Sequence, residues 1–381
     1  MVLVTQGYGY GYDEYSAGFR MLCRSGQGIK TCPNFNYELY VDESEFTNFV
    51  SISVNQTLSA LAGFSINLGN PLGMNTNIFQ PNSEIEFKAS WGSRSPQTII
   101  KGLIKKRSFT SAMKRTINIS GIDYGDFLSR KRPWDVNYNP LVFNNELTST
   151  IINRLMTLVP ELILHLSKMP EEPRFSITTD PSNNNVLETI KVVLEYAGYQ
   201  WFILDNKLYV FPPKELVEAQ SKYNLLFGDE DEYTNIPELP NVVLHSAKVD
   251  EDFGSIKNRY KVEGNAGLYA VADDVVSIQK YKGIFEGFKK DTRLTSVQSC
   301  YLVARQMAAI NGYPKTPISC SFKGTSDIRV GDVVFVGDKN GGFSMLESPY
   351  LYVMSIGQVF GNTWITTLSL GALEKRLIDI I

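Results

Sequence analysis

Apolar and polar residues alternate with a period of two through much of the stretch 46–122. Val50, Ile52 and Val54 alternate with Ser51, Ser53 and Asn55, and Phe64, Ile66 and Leu68 with Ser65 and Asn67. Ile85, Phe87 and Ala89 alternate with Glu86 and Lys88, and Ile117 and Ile119 with Asn118 and Ser120. A period of two sends successive side chains to opposite faces of a sheet, so each run predicts a strand with one dry and one wet face. Four or five such strands in one short stretch predict a sheet closed or folded on itself, which also hides its edges.

The same order of signals returns near the C-terminus. Pro81-Asn-Ser-Glu-Ile-Glu-Phe-Lys is answered by Ile328-Arg-Val-Gly-Asp-Val-Val-Phe-Val, each a turn with an acidic residue entering a strand. Thr98-Ile-Ile-Lys-Gly-Leu-Ile is answered by Tyr350-Leu-Tyr-Val-Met-Ser-Ile-Gly, and Thr116-Ile-Asn-Ile-Ser-Gly by Trp364-Ile-Thr-Thr-Leu-Ser-Leu-Gly. Two readings fit: chance convergence on strand and turn grammar, or two copies of one small β-barrel in tandem.

Between them the period changes. Leu147, Ile151, Leu155 and Leu158 form a helical stripe that Pro160 ends or kinks. A second helix has Asn185 as its cap, Glu188 three residues on, an apolar face of Leu187, Ile190 and Leu194, and Gly198 as its stop. A hairpin follows, 199–204 and 207–211, turning at Asp205-Asn206 and closed by Pro212-Pro213. The expected fold is therefore mainly β with α+β modules: two related small β-barrels separated by a helix-plus-hairpin module. The expected domains are a Gly/Tyr-rich arm over 1–36, a first barrel over 37–138, the module over 139–214 and a polar, acidic linker over 215–237. The second barrel spans 238–375, with an inserted segment and helix at about 265–313, and a short tail covers 376–381. Strands at 242–249 and 259–264 are expected to begin the second barrel. The inserted helix is expected over 296–310, with Thr295 and Gln298 as its capping box and Leu294, Val297, Tyr301 and Ala308 along one side.

Composition narrows the function. The chain has 381 residues, ample for several domains, and a net charge of −3. A protein that grips nucleic acid by its phosphates carries a basic excess, which this one lacks. No apolar run approaches the length of a membrane span, and the start has neither charged n-region nor sustained apolar core, so synthesis in the cytoplasm is expected. Four cysteines, Cys23, Cys32, Cys300 and Cys320, are too few for a disulfide scaffold. They read as ordinary thiols, with a Cys23–Cys32 bridge after release from the cell left open. The only two histidines are His165, in or just beyond a helical stripe, and His245, in a strand. No phosphate loop, metal cluster or nucleophile elbow is present, so no catalytic residue, metal or cofactor is expected.

Two stretches offer assembly contacts instead. Gly7-Tyr-Gly-Tyr-Gly-Tyr alternates a permissive backbone with amphipathic rings at Tyr8, Tyr10 and Tyr12, reading either as a floppy end or as an arm that orders on a partner. Basic residues gather at Lys101, Lys105, Lys106, Arg107, Lys114, Arg115, Arg130, Lys131 and Arg132. Acidic runs lie at Asp229-Glu-Asp-Glu and Asp250-Glu-Asp, so complementary patches within one assembly, or plain solvated faces, are more economical than a nucleic-acid site.

This layout resembles the baseplate hub proteins of contractile phage tails, the late control protein D group that includes the hub of Mu-like phages. The resemblance covers about 37–375. It rests on the first barrel, on Leu187-Glu-Thr-Ile, Gly198-Tyr-Gln-Trp and Lys207-Leu-Tyr-Val, and on Ile328-Arg-Val-Gly-Asp-Val-Val in the second barrel. It implies a virion protein: a homotrimer forming a ring below the tail tube. The implied partners are tube, central spike and baseplate wedge proteins, and the tape-measure protein as a further candidate, with DNA only in transit and no membrane. The arm departs from the family pattern, and the spike is expected to be a separate polypeptide. Two other classes stay open: the tip hub of a non-contractile tail or phage-derived injection machine, and a carbohydrate-binding or carbohydrate-active β protein.

Overall fold

The computed structural model describes residues 22–25, 28–31, 35–46, 50–91, 94–111, 115–167, 172–212, 221–227, 239–250, 252–313, 318–338, 350–361 and 363–371. A short hairpin, β1 (Leu22–Ser25) and β2 (Gly28–Thr31), precedes the first sheet. That sheet contains β3 (Phe35–Val41), β4 (Ser44–Glu45), β5 (Ser51–Thr57), β6 (Gly63–Gly69), β7 (Glu84–Trp91), β8 (Gln97–Ser111) and β9 (Arg115–Asp123). The alternation read from sequence sets its inner face. Ile52, Val54, Phe64, Ile66, Leu68, Ile85, Phe87, Ala89, Ile117 and Ile119 are all buried in one core. Val50 departs from the pattern: it stands just before β5 and is 61% exposed.

The middle of the chain folds as α1 (Asp126–Arg130), β10 (Val142–Leu147), α2 (Thr148–Met156), β11 (Ile163–Leu166), β12 (Arg174–Thr178), α3 (Val186–Ala197), β13 (Gln200–Leu204) and β14 (Lys207–Phe211). The cap chemistry is as expected: the Asn185 side chain accepts the Glu188 N–H at 2.9 Å, and Gly198 turns left-handed at φ 73°. Ile151 and Leu155 of α2 and Leu187, Ile190 and Leu194 of α3 are buried together.

The rest comprises β15 (Asn224–Phe227), β16 (Asn241–Val243), β17 (Ser246–Val249), β18 (Arg259–Glu263), β19 (Tyr269–Asp273), α4 (Val275–Tyr281), β20 (Glu286–Lys290), α5 (Val297–Asn311), β21 (Ile318–Lys323), β22 (Val333–Asp338), β23 (Tyr350–Phe360) and β24 (Trp364–Gly371). Four expectations are corrected here. Inside the stretch read as a linker, Asn224–Phe227 forms a strand whose Leu225 and Leu226 are fully buried between β22 and β16. The strand at 259–263 belongs not to the second barrel but to a separate sheet, β19-β18-β20. Its Tyr260 and Val262 join one core with α3, β13 and α5, so the insert packs on the middle module. The α5 cap is Ser296, which accepts the Ser299 N–H at 3.1 Å, one residue after the expected Thr295. The buried face of α5 is accordingly Cys300, Val303, Ala304 and Ala308, while Val297 and Tyr301 are exposed.

The two barrels repeat one strand order. The first runs β5-β6-β9-β8-β7-β3 and the second β17-β21-β24-β23-β22-β15. The β8–β9 and β23–β24 hairpins agree in register, each position of the second lying 249 residues after its counterpart: Ile104 and Val353, Ser111 and Phe360, Arg115 and Trp364. Each hairpin carries its bulge at the same place, between Ile104 and Lys106 and between Val353 and Ser355. Even the turns before β7 and β22 agree. Asn82 (φ 65°) donates to the Ile104 carbonyl at 2.9 Å, and Gly331 (φ 84°) to the Val353 carbonyl at 2.8 Å. This spacing shifts the strand matches read from sequence by one to three residues. The copies differ in two ways. A five-residue turn, 58–62, joins β5 to β6, where the whole insert stands between β17 and β21. β3 is antiparallel to β7, whereas β15 is parallel to β22.

The two sheets are one sheet. β23 leaves β22 after Tyr352, and its far half, Ser355–Phe360, pairs antiparallel with Ile52–Thr57 of β5. Phe360 and Trp364 at the end of the second hairpin are thereby buried in the core of the first barrel.

Candidate assembly interface

The basic residues between 101 and 132 divide into two groups. Lys105 and Arg130 converge on Asp126, in the first turn of α1 and 2% exposed. Burial opposes ionisation of that carboxyl, but hydrogen bonds from Lys105 and Arg130 outweigh it and hold it below the usual carboxylate range. The Arg130 guanidinium also lies over the Phe127 ring at 5.1 Å. Arg107 donates to the carbonyls of Thr76 (2.9 Å) and Phe79 (2.8 Å), tying the 70–83 loop to β8. Lys101 pairs with Glu84 at 2.9 Å. Lys106, Arg115, Lys131 and Arg132 are exposed, and among the described residues of this cluster these are the cations without a side-chain partner. Lys114 and the tyrosines Tyr8, Tyr10 and Tyr12 lie outside the described residues, as do Cys32 and the tail.

Both histidines are on the surface. His165 lies in β11, a strand rather than a helical stripe, with its ring 5.0 Å from that of Tyr209. His245 lies between β16 and β17. Cys300 and Cys320 are free and buried, and burial pushes the Cys320 thiol up to about 12.

One titratable group sits where three units meet. Asp123, 3% exposed at the end of β9, accepts the Ala62 N–H at 2.7 Å and the Gly125 N–H at 2.9 Å. The same 58–62 turn is held by the second barrel through Leu58 N–H to the Met354 carbonyl (2.8 Å), and by the module through Ser59 N–H to the Trp201 carbonyl (2.7 Å). Burial, against the two backbone bonds, pushes the Asp123 carboxyl up to about 7. Between pH 4 and 7 the folded chain therefore binds a proton here that the unfolded chain has lost, so this group's contribution to stability falls as pH rises and levels off above 7. Asp123→Asn is expected to gain on the wild type by up to about 4 kcal/mol between pH 4 and 8. Denaturation curves of both proteins across that range test this, and parallel pH profiles would refute it.

Sheet edges supply the remaining surface. Among the described residues, no strand lies on the outer side of β8 beyond Ile104, and β17 pairs with β21 alone. Phe109, near the β8 tip, is 52% exposed. Neither edge was marked out by composition. The signal that locates them is the tandem repeat, because the counterparts of both edges are paired in the β5–β23 joint.

With these features in place, the molecule can be set beside known structures. A tail protein from Neisseria meningitidis superposes with a TM-score of 0.61 at 14% identity, over 89% of this chain and 96% of that one. A 43 kDa tail protein of prophage MuSo2 from Shewanella oneidensis superposes at 0.63 and 13% identity, over 88% and 98%. The chain has the fold of phage tail proteins. The fold extends to a type VI secretion component of E. coli, itself described as similar to the T4 tail proteins gp27 and gp5, at a TM-score of 0.56, 8% identity and 89% and 77% coverage. No protein-family model matches the sequence, and comparison with curated proteins finds no match. Matching over nearly the full length of both chains means that the tail-protein fold includes the middle module and the insert as well as the two barrels.

Proposed function

We propose that this protein is the structural hub of a phage tail baseplate. Three copies close a ring of six related sheets that joins a sixfold tube to a threefold central spike and surrounds the path of DNA and tape measure. The observation that carries this is the repeat: one chain presents two sheets of the same strand order, joined edge to edge, on a molecule that superposes on a tail protein over 88% of its length. Six similar sheets meet a sixfold tube, while the inserted modules, one set per chain, keep the other face threefold. Cyclic closure also limits open-ended polymerisation. Spike, tube and wedge proteins are the partners this role calls for, the virion is its location, and a wall without a continuous basic lining suits a channel that DNA crosses. The role is structural, not enzymatic. Tagged particles imaged by cryo-electron microscopy, with native mass measurement, are expected to show three copies in a ring at the tube end. A monomer or dimer in intact particles would overturn the ring. Turnover of peptidoglycan by the pure protein, abolished by one carboxylate substitution, would overturn the absence of catalysis.

The similarity to a type VI secretion component supports a second reading, the same ring at the base of a phage-derived injection machine. The neighbouring reading frames discriminate between them: genes for tail sheath, spike and capsid favour the phage baseplate.

A further inference from the structure

The repeat identifies what the two open edges are for. Ser51 of β5 stands opposite Asn67, and Ser246 of β17 opposite Ser321. Asn67 and Ser321 in turn stand opposite Asn118 and Thr367, which are counterparts in the two hairpins. Ser246–Val249 of β17 is therefore the counterpart of Ser51–Val54 of β5. Likewise Lys106–Ser111 of β8 is the counterpart of Ser355–Phe360 of β23. Inside the chain, β5 and the far half of β23 are joined. Their counterparts, β17 and the far half of β8, are the edges left open among the described residues.

We infer that β17 of one copy receives the outer edge of the β8 tip of a second copy, repeating between chains the antiparallel joint that β5 and β23 make within one. The inference rests on the proposed ring and names the contact that closes it. In the internal joint Ser53 faces Val359, Val54 faces Gln358 and Thr57 faces Ser355. Carried over, Lys248 faces Thr110 of the second copy, Val249 faces its Phe109, and Asp252 faces its Lys106.

Two features independent of the strand order agree with this register. The first is charge: it brings Asp252 against Lys106, one of the exposed cations. The second is burial. Gln358, the counterpart of Phe109, stands opposite Val54 of β5, donates to the Thr325 carbonyl at 2.7 Å and is 4% exposed, whereas Phe109 is 52% exposed in the single chain. Covering Phe109 with Val249 makes an aromatic and β-branched cross-strand pair and removes an apolar side chain from water. The joint between chains differs from the internal one at its end, where Ser111 and Arg115 stand in place of Phe360 and Trp364. It lacks the Phe360 and Trp364 plug and relies on backbone bonding, charge and the Phe109–Val249 pair, as suits chains that fold first and assemble afterwards.

Thr110→Cys with Lys248→Cys, in a chain whose Cys23 and Cys32 are serine, tests the register. Assembled particles and the purified full chain are treated with diamide and run on a denaturing gel without reductant. Covalently linked oligomers are expected, at least about tenfold above the yield from Phe109→Cys with Lys248→Cys, because a one-residue slip sends the thiols to opposite faces. Independently, Lys106→Glu and Asp252→Lys are each expected to lower the assembled fraction on native mass measurement, and the double variant to restore it. A trimer that shows neither the cross-link nor the charge rescue overturns this contact and leaves the ring standing. A chain that is monomeric both alone and in particles overturns the ring and the contact together.

Discussion

Replacing Trp364 by alanine is expected to cost about 3–5 kcal/mol, the range for removing a large aromatic from a packed core. The indole is 1% exposed, stacks on Trp91 at 5.5 Å with an interplanar angle of 6°, and meets Phe360 at 4.9 Å and Phe35 at 5.9 Å. It belongs to the second hairpin and fills the first core, so its loss weakens the coupling between barrels as well as the packing. Gly324 makes room for it: a Cβ there would fall onto the indole ring, and the Gly324 N–H and the Trp364 carbonyl are bonded at 2.9 Å. Gly324→Val is expected to be about as damaging as Trp364→Ala through overpacking. The Trp364 Nε1–H is buried with no acceptor among the described residues, so Trp364→Phe removes a donor unpaired there along with some volume and is expected to cost much less than alanine. Calorimetry is expected to show the single transition of the wild type dividing in the alanine and valine variants. A loss under about 1 kcal/mol with one unchanged transition would mean that the shared core does not couple the barrels.

The second large effect is expected at Arg293. Asp291, 6% exposed, takes two bonds from the Arg293 guanidinium, at 2.7 and 2.5 Å, and one from the Tyr196 hydroxyl of α3. Burial opposes the Asp291 charge, but the bonds from Arg293 and Tyr196 hold the carboxyl below its ordinary range. Arg293→Ala leaves that carboxylate buried with only the Tyr196 hydroxyl and the backbone N–H of residue 293, and with no cation against it, a cost of about 3–5 kcal/mol. The sign with pH follows: a depressed folded value stabilises above the unfolded pKa and is lost as pH falls through the folded one. The variant is therefore expected to lose most relative to wild type near pH 7 and least in acid. Denaturant titrations at pH 7 and at pH 2, below the ordinary carboxylate range, test this, and an equal loss at both would reject the charge argument. Arg293→Ala with Asp291→Leu is expected to recover much of the loss, since a paired buried charge is often replaceable by a hydrophobe.

Much of this fold was legible because its strands are half wet. Ile85, Phe87 and Ala89 alternate with Glu86 and Lys88, and the register follows the apolar face. The α3 helix was legible because Asn185 and Gly198 act locally. Asn224–Phe227 was not, since a four-residue strand buried on both faces offers no alternation. Nor was the allegiance of β18: Tyr260 and Val262 mark an inner face without saying which core it faces. At α5, Thr295 and Ser296 are both good caps, and only the packing of Cys300, Val303 and Ala304 selects the second. Of the candidate contacts, the positions of the cations were legible but their engagement was not. Lys105, Arg107 and Arg130 are occupied by groups far off in the chain, Asp126 excepted for Arg130, and those distances in sequence carry no signal.

The β5–β23 joint also sets a timetable. Ile52 leaves the ribosome roughly 300 residues ahead of Phe360, and contacts that distant in sequence must wait for the whole chain and form slowly. Until the last hairpin is made, the first barrel has an open edge on β5 and a core lacking its two largest late contributors, Phe360 and Trp364. Such half-made sheets pair readily with the wrong neighbour. During synthesis the N-terminal third is thus the part most in need of a chaperone, and a chain truncated before residue 350 is the form most prone to aggregate.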